Sequence, residues 1–139
     1  AESYANCDLA ARLRSAPSQP IVARVLTPDE NEAPITTLTK TNAPTLALTS
    51  GQLGFRATDA DLALAFERLE ATLKTAGSSL ANAVQLSILA DSVDLSRRAE
   101  AQGRRHLDSR HDPAILGVAV EDLPALDATF SLDAVAVRR

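Results

Sequence analysis

The chain has 139 residues, 45% of them apolar, and a formal net charge of -4. This length suits one domain with a sizeable core. We expect residues 21–139 to form it, after an N-terminal extension (residues 1–20) in which residues 3–15 predict a short helix. The acidic balance and the scarcity of aromatic residues disfavour a nucleic-acid partner. No apolar run approaches the roughly 20 residues of a membrane span, so we expect no membrane partner.

Cys7 is the only cysteine, so the chain can form no internal disulfide. No group of cysteine and histidine residues has the spacing of a zinc site, and we expect no metal. These features fit a reducing compartment, and the cytoplasm is the expected location. The chain contains no methionine, which puts the natural start codon outside the numbered residues. A leader that has already been removed would leave no trace.

Three stretches near the start of the domain have the composition of β-strands. Residues 21–26, IVARVL, are rich in β-branched residues, and residues 35–41, ITTLTKT, alternate and are β-prone. Residues 46–55, LALTSGQLGF, form a third β-rich run. The turn at residues 42–44 predicts that the second and third strands pair as a hairpin.

The hydrophobic period then changes from two to 3.6, which predicts a long helix. Its apolar stripe comprises Leu62, Phe66, Leu69 and Leu73. Thr58 stands at the expected N-cap, three residues before Asp61. Gly77 is placed to end the helix in a left-handed conformation.

A second helix is predicted over residues 95–107, after a half-buried strand at residues 82–90. Its inward stripe is Leu95, Ala99, Gly103 and Leu107. Glycine costs about 1 kcal/mol of helix propensity relative to alanine. The two small residues therefore predict that this helix lies close to the sheet.

Two strands close the chain, at residues 114–120 and 129–137. The element order is therefore β-β-β-α-β-α-β-β, an α+β fold with the helices on one face of a mixed sheet. The strand AILGVAV at residues 114–120 is apolar on both sides, which is typical of a strand that is buried on both faces. Since the helices suffice for one face only, we expect another copy of the chain to cover the other, and we predict a homo-oligomer.

An ordered series of segments resembles the RidA/YjgF family of reactive-intermediate deaminases. The series consists of LALTSGQLGF, LKTAGSSLANAVQLSILADSVDL, Pro113-Ala114 at the start of a strand, Val118, Leu123-Pro124 and the terminal LDAVAVRR. The resemblance extends over residues 27–139. It implies a chorismate-mutase-like fold and a homotrimer, with the sheets around an inner barrel and three ligand clefts between subunits.

The resemblance also implies a chemistry. Members of the family hydrolyse enamines and imines derived from amino acids, and they release ammonia without a metal or an organic cofactor. An arginine after the Pro-Ala pair binds the substrate carboxylate, and a glutamate on the last strand serves the water or the imine. An early Gly-Pro-Tyr segment closes the pocket.

This chain departs from the family pattern at each of these positions. Ile115 stands in place of the arginine, and isoleucine has no donor for the bidentate grip that a guanidinium gives a carboxylate. Ser131 stands in place of the glutamate, while Asp133 matches a second family acid. The Gly-Pro-Tyr segment is missing, and Arg98 stands where the family often has asparagine.

The expected ligand cleft combines residues from several segments. Its predicted lining is Thr37, Ser50, Gly51, Arg98, Ile115, Gly117 and Ser131. For Ser50 and Gly51 the alternative is a strand-end turn that needs glycine. Asp133 is the candidate catalytic residue, and its alternative role is that of a structural partner to an arginine. Arg98 or Arg56 could supply the missing cation from another wall of the cleft.

Three functions remain open from the sequence. The first, which we favour, is a divergent family member that binds a small, more apolar metabolite without hydrolysing imines. The second is an enzyme of altered chemistry that uses Asp133 or a bound water. The third is a structural or regulatory partner in which residues 1–20 mediate assembly. Serine-type catalysis is disfavoured, because the GxSxG pattern is absent and His106 and His111 are expected to face solvent.

Overall fold

The computed structural model describes residues 21–26, 36–41, 45–108, 110, 113–123 and 125–138. The predicted helix at residues 3–15 lies outside these ranges. The described elements, in chain order, are β1 (Ile21–Leu26), β2 (Thr36–Thr41), β3 (Leu46–Leu48), β4 (Gln52–Gly54), α1 (Asp59–Thr75), a 3₁₀ turn (Leu80–Asn82), β5 (Ala83–Ala90), α2 (Val93–His106), β6 (Ala114–Ala119) and β7 (Phe130–Val137).

The main sheet has the strand order β3-β7-β5-β6, and β4 pairs with β7 beyond the end of β3. Strands β5 and β6 are parallel, whereas β7 is antiparallel to β3, β4 and β5. A parallel pair needs a crossover connection, and α2 provides it. The predicted α+β fold, with helices on a mixed sheet, is confirmed.

The predicted hairpin between the second and third strands is wrong. Strand β2 instead pairs antiparallel with β1, from Ile21 opposite Thr41 to Leu26 opposite Thr36. The third run is split into β3 and β4, and both pair with the much longer β7. Alternation identifies a strand but does not identify its partner, and here the partner of β3 and β4 lies about 80 residues further along the chain.

Helix α1 forms as the sequence predicts. Its stripe residues Leu62, Phe66, Leu69 and Leu73 have no exposed surface. The Thr58 hydroxyl caps the helix by accepting a hydrogen bond from the Asp61 N–H at 3.2 Å. Beyond the last turn, Gly77 adopts a φ of 73°, in the left-handed region that favours glycine.

Helix α2 lies against the sheet through its small residues. A methyl group at Gly103 would lie 2.6 Å from Leu86 Cδ2 and 3.3 Å from Phe66 Cζ. These distances are shorter than normal carbon contacts, so the helix can approach this closely only because residue 103 has no side chain. The close packing predicted from Ala99 and Gly103 is confirmed.

The two faces of the main sheet differ in what covers them. Both described helices pack on one face, where Leu86, Ile88, Leu132 and Ala134 are buried. The alternate residues of the strands point the other way, and we call this side the open face. Its apolar residues are Leu46, Leu48, Leu53, Leu89, Leu116, Val118, Val135 and Val137. All of them keep part of their surface exposed, and Leu48 reaches 66%.

Across the described part of the chain, neither helix has the length and apolar character needed to cross a membrane.

The packing of Gly103 makes a testable prediction. Replacing Gly103 with valine is expected to lower the free energy of unfolding by about 2 kcal/mol or more, because the new methyl groups overlap Leu86 and Phe66. The matched control is Ala101→Val on the exposed side of the same helix, which should cost less than about 0.7 kcal/mol. Urea denaturation at one protein concentration measures both values. Equal losses of unfolding free energy in the two variants would contradict the close approach of α2 to the sheet.

Candidate functional site

The Ser50-Gly51 segment is fixed to the sheet by its neighbour Thr49. The Thr49 N–H donates to the Ala134 carbonyl at 3.0 Å. The Thr49 hydroxyl donates to the same carbonyl at 3.3 Å and accepts from the Ala134 N–H at 2.9 Å. The side chain of Thr49 thus continues the pairing with β7 where the chain leaves β3. Ser50 and Gly51, both exposed, follow directly.

Gly51 and Ser131, two of the predicted cleft residues, lie against each other. A methyl group at Gly51 would overlap the Ser131 hydroxyl, so the absence of a side chain at residue 51 permits this approach. Ser131 is 6% exposed and pairs in register with Leu53 of β4 and Leu89 of β5. The structure therefore brings Gly51 and Ser131 together on the open face.

Asp133 lies on the same face, two residues beyond Ser131. It is half-buried and stands opposite Ser87 of β5, which is 5% exposed. The acid that the sequence singles out is thus part of a polar patch, together with Gln85, Ser87 and Ser131, on a largely apolar face.

Ile115 and Gly117 lie on the opposite side of the sheet. Ile115 is adjacent to Leu86 of β5 and packs against the hydrophobic core under the helices. Gly117 is adjacent to Ile88 and faces α2. Both residues belong to β6, which is the edge strand of the main sheet as far as the structure describes it.

The predicted cleft residues thus form two groups within one chain. Gly51 and Ser131 lie on the open face, whereas Ile115 and Gly117 lie on the helix face. Strand β5 separates β7 from β6, so the two groups are about two strand spacings, or roughly 10 Å, apart across the sheet. A single copy of the chain does not enclose both groups in one pocket.

Arg98 is held by contacts away from β6. Its guanidinium donates to the Asp59 carboxylate at 2.7 Å, to the Asp94 carboxylate at 3.1 Å and to the Ala57 carbonyl at 2.8 Å. The hydrogen bond to Asp59 and the one to Asp94 raise the pKa of Arg98 above its ordinary value. Arg98 therefore ties the start of α1 to α2. Arg56, the other cation considered, is exposed just before α1.

The remaining residues that the sequence analysis named do not belong to β3, β4, β6 or β7. Thr37 is part of β2, where it stands opposite Val25 of β1. His106 is exposed, as predicted, and its ring stacks on Phe66 with 5.1 Å between the ring centroids. His111 lies outside the described residues.

Sequence reasoning missed two side chains that lie at Gly117. Ser96 and Glu100 are one turn apart on α2 and point at β6, where both would crowd a methyl group on residue 117. The signal was present in the sequence, because residues four apart share one face of a helix. That signal could not reveal which strand the face covers.

A separate small cavity of about 220 Å³ lies where β5 and β6 end. Its lining includes the carboxylates of Asp91, Glu121 and Asp122. It includes none of the predicted cleft residues. Within the described ranges, no cluster of three or more histidine, cysteine or acidic residues has the geometry to hold a metal ion.

Comparison with known proteins decides the family. The sequence profile of the family described as Endoribonuclease L-PSP, which is the YjgF/RidA family, matches residues 33–138. The chain belongs to this family. The resemblance drawn from its sequence segments is therefore confirmed. No curated protein sequence matches this chain.

Several solved structures share the fold of this chain. HI0719 from Haemophilus influenzae is 27% identical, with a TM-score of 0.58 over 68% of this chain and 80% of that one. NMB1025 from Neisseria meningitidis, a YjgF family member, is 17% identical, with a TM-score of 0.59 over 87% and 98%. TdcF from E. coli, solved with bound serine, is 21% identical, with a TM-score of 0.54 over 69% and 83%. At the two lower identities the likeness shows the fold alone.

The Thr49 contacts predict how the Ser50-Gly51 segment is held. Thr49→Val keeps the shape of the side chain but removes the hydroxyl that accepts from the Ala134 N–H. We expect a loss of about 1–3 kcal/mol in unfolding free energy and faster hydrogen exchange of the Ala134 amide. Thr49→Ser is the matched control, since it keeps the hydroxyl. Equal exchange rates in the two variants would show that the hydroxyl does not hold this segment.

Proposed function

We propose that this RidA-family chain forms a homotrimer whose inter-subunit cleft binds a small metabolite and does not hydrolyse the usual 2-imino and 2-enamino acids. The observation that carries the proposal is Ile115, which stands at the family's arginine position and packs against the core. The cytoplasm is the proposed location, supported by the single cysteine at residue 7.

The substrate carboxylate would have no anchor at residue 115. An arginine grips a carboxylate through two charge-assisted hydrogen bonds, and isoleucine makes none. Losing this contact costs a carboxylate ligand about 3 kcal/mol. Arg98 does not replace it, because its guanidinium is engaged by Asp59, Asp94 and the Ala57 carbonyl.

The residue at the family's glutamate position, Ser131, bears on proton transfer. The family's glutamate can take up or release a proton near neutral pH, whereas the Ser131 hydroxyl cannot. Ser131 is also 6% exposed and lies beneath Gly51, so little of it is open to a substrate. The reaction assigned to the family would therefore lack both its carboxylate anchor and its acid.

The open face supports the homotrimer. Its apolar residues remain partly exposed in one copy, and Leu48 reaches 66%. Exposed apolar surface of this extent is typical of an interface between proteins. The separation of the predicted cleft residues into two groups also supports an oligomer. A second copy packed at the sheet edge would supply the residues that one copy lacks for a closed cleft.

The binding of a small molecule fits one solved structure of this fold. TdcF of E. coli, which shares the fold at 21% identity, was solved with bound serine. A protein of this fold can thus hold an amino-acid-sized molecule. In this chain the cleft keeps Gly51 but has an apolar wall at Ile115, which suits a ligand that is less anionic than an amino-acid imine.

The absence of deaminase activity is directly testable. The protein is mixed with freshly generated 2-aminoacrylate or 2-iminobutyrate, and keto-acid release is followed against an active family deaminase. We expect no release above the uncatalysed rate, because the substrate carboxylate has no arginine to bind. Robust turnover would overturn the proposal. A double variant, Ile115→Arg with Ser131→Glu, tests the cause, and restored turnover in it would support the two substitutions as the reason for inactivity.

The oligomeric state has its own test. Light scattering in solution is expected to give three times the mass of one chain. Placing a charge on the open face, as in Val118→Glu on β6, should shift the mass towards that of a monomer, since an unpaired buried charge opposes association. Glu67→Gln on the exposed side of α1 is the control and should leave the mass unchanged. A monomeric unsubstituted protein would remove the inter-subunit cleft.

A further inference from the structure

The side chains of Ser96 and Glu100, both on α2, lie against Gly117 of β6. A methyl group at Gly117 would lie 2.7 Å from the Ser96 hydroxyl oxygen and 3.0 Å from the Glu100 carboxyl carbon, and it would overlap a Glu100 carboxylate oxygen. The hydroxyl and the carboxylate therefore occupy the space above Gly117 together. Ile115 lies two residues away on the same face of β6.

Ser96 is a buried polar residue whose hydroxyl has no hydrogen-bond partner among the described residues. It is 4% exposed. Buried hydroxyls are nearly always hydrogen-bonded, and leaving one unsatisfied costs about 1–3 kcal/mol. The hydroxyl lies above Gly117 beside the Glu100 carboxylate, so a donor that reaches both side chains from the edge of the sheet would satisfy it.

Glu100 adds a negative charge to the same space. It is half-buried, and among the described residues no cation forms an ion pair with its carboxylate. The nearby Arg98 points to the other side of α2, where Asp59 and Asp94 hold it. A partly desolvated carboxylate without a counter-ion favours a cationic partner.

We propose that the Ser96–Glu100–Gly117 site binds the ammonium group of a small amine, with Ile115 as the apolar wall for its hydrocarbon part. This inference rests on the proposed function and names its ligand class. An ammonium offers three donors, which can serve the Glu100 carboxylate and the Ser96 hydroxyl at once. Since isoleucine replaces arginine beside this site, the cleft selects a cation where the family's cleft selects a carboxylate.

The experiment compares two probes of equal length and opposite charge, n-butylammonium chloride and sodium butyrate, on the full chain in its native assembly. Binding is followed by calorimetry and by the amide NMR signals of Ser96 and Gly117, at one ionic strength. We expect saturable n-butylammonium binding in the roughly millimolar range, with shifts at both signals, and weaker or no binding of butyrate.

Variants assign the binding to the site. Glu100→Gln should weaken n-butylammonium binding about tenfold, the effect of losing one charge-assisted hydrogen bond. Gly117→Ala should weaken it too, because its methyl group displaces the carboxylate. Glu67→Gln removes an exposed carboxylate from α1 and should leave binding unchanged.

Each other outcome overturns the inference in a recognisable way. Equal n-butylammonium affinity in the unsubstituted protein and in Glu100→Gln removes Glu100 from the site. Binding of butyrate in preference to n-butylammonium, with shifts at Gly117, keeps a small-molecule cleft but reverses its ligand class. No binding of either probe rejects the site. Keto-acid release in the imine assay would separately overturn the proposed function.

Discussion

The pairing of β7 with three other strands is the interaction on which the rest of the structure depends. Strands β3 and β4 hydrogen-bond to one of its edges and β5 to the other. Successive side chains of β7 point to opposite faces, so Phe130 and Leu132 are buried under the helices while Ser131 and Asp133 lie on the open face. A shift of one residue in this register would exchange the two sets, so the core and the polar patch are fixed by the same hydrogen bonds.

The sequence predicted the elements that depend on local chemistry. The apolar stripe of α1, the Thr58 cap and the left-handed Gly77 all follow from patterns spanning a few residues. Gly103 was predictable for a related reason, since a glycine on the buried side of a helix signals close packing. The hairpin prediction failed because the pairing of β3 and β4 with β7 is non-local. No pattern within residues 35–55 carries that information.

The candidate site shows the same limit. Family resemblance marked Ile115, Gly117 and Ser131 as cleft positions, and the comparisons with known proteins confirm the family. Ser96 and Glu100 were missed because their relevance arises only from the packing of α2 on β6. Arg98 was considered as a substitute cation, and only the structure reveals the contacts that hold it at Asp59 and Asp94.

These observations combine into one account of the cleft. In the proposed function the fold of the family is kept, while the arginine and the glutamate that the resemblance assigns to binding and proton transfer are replaced by an isoleucine and a buried serine. On the helix side of β6, the Glu100 carboxylate lies against Gly117. The proposed function is thus a change of ligand preference on the family's fold.

The most direct measurement is calorimetric titration of the protein with 2-ketobutyrate, the stable product of 2-iminobutyrate hydrolysis, which carries the same carboxylate. The account predicts no saturable binding, because no arginine receives that carboxylate at residue 115. Tight, saturable binding would contradict it and would show that the cleft still recognises the ligands of its family.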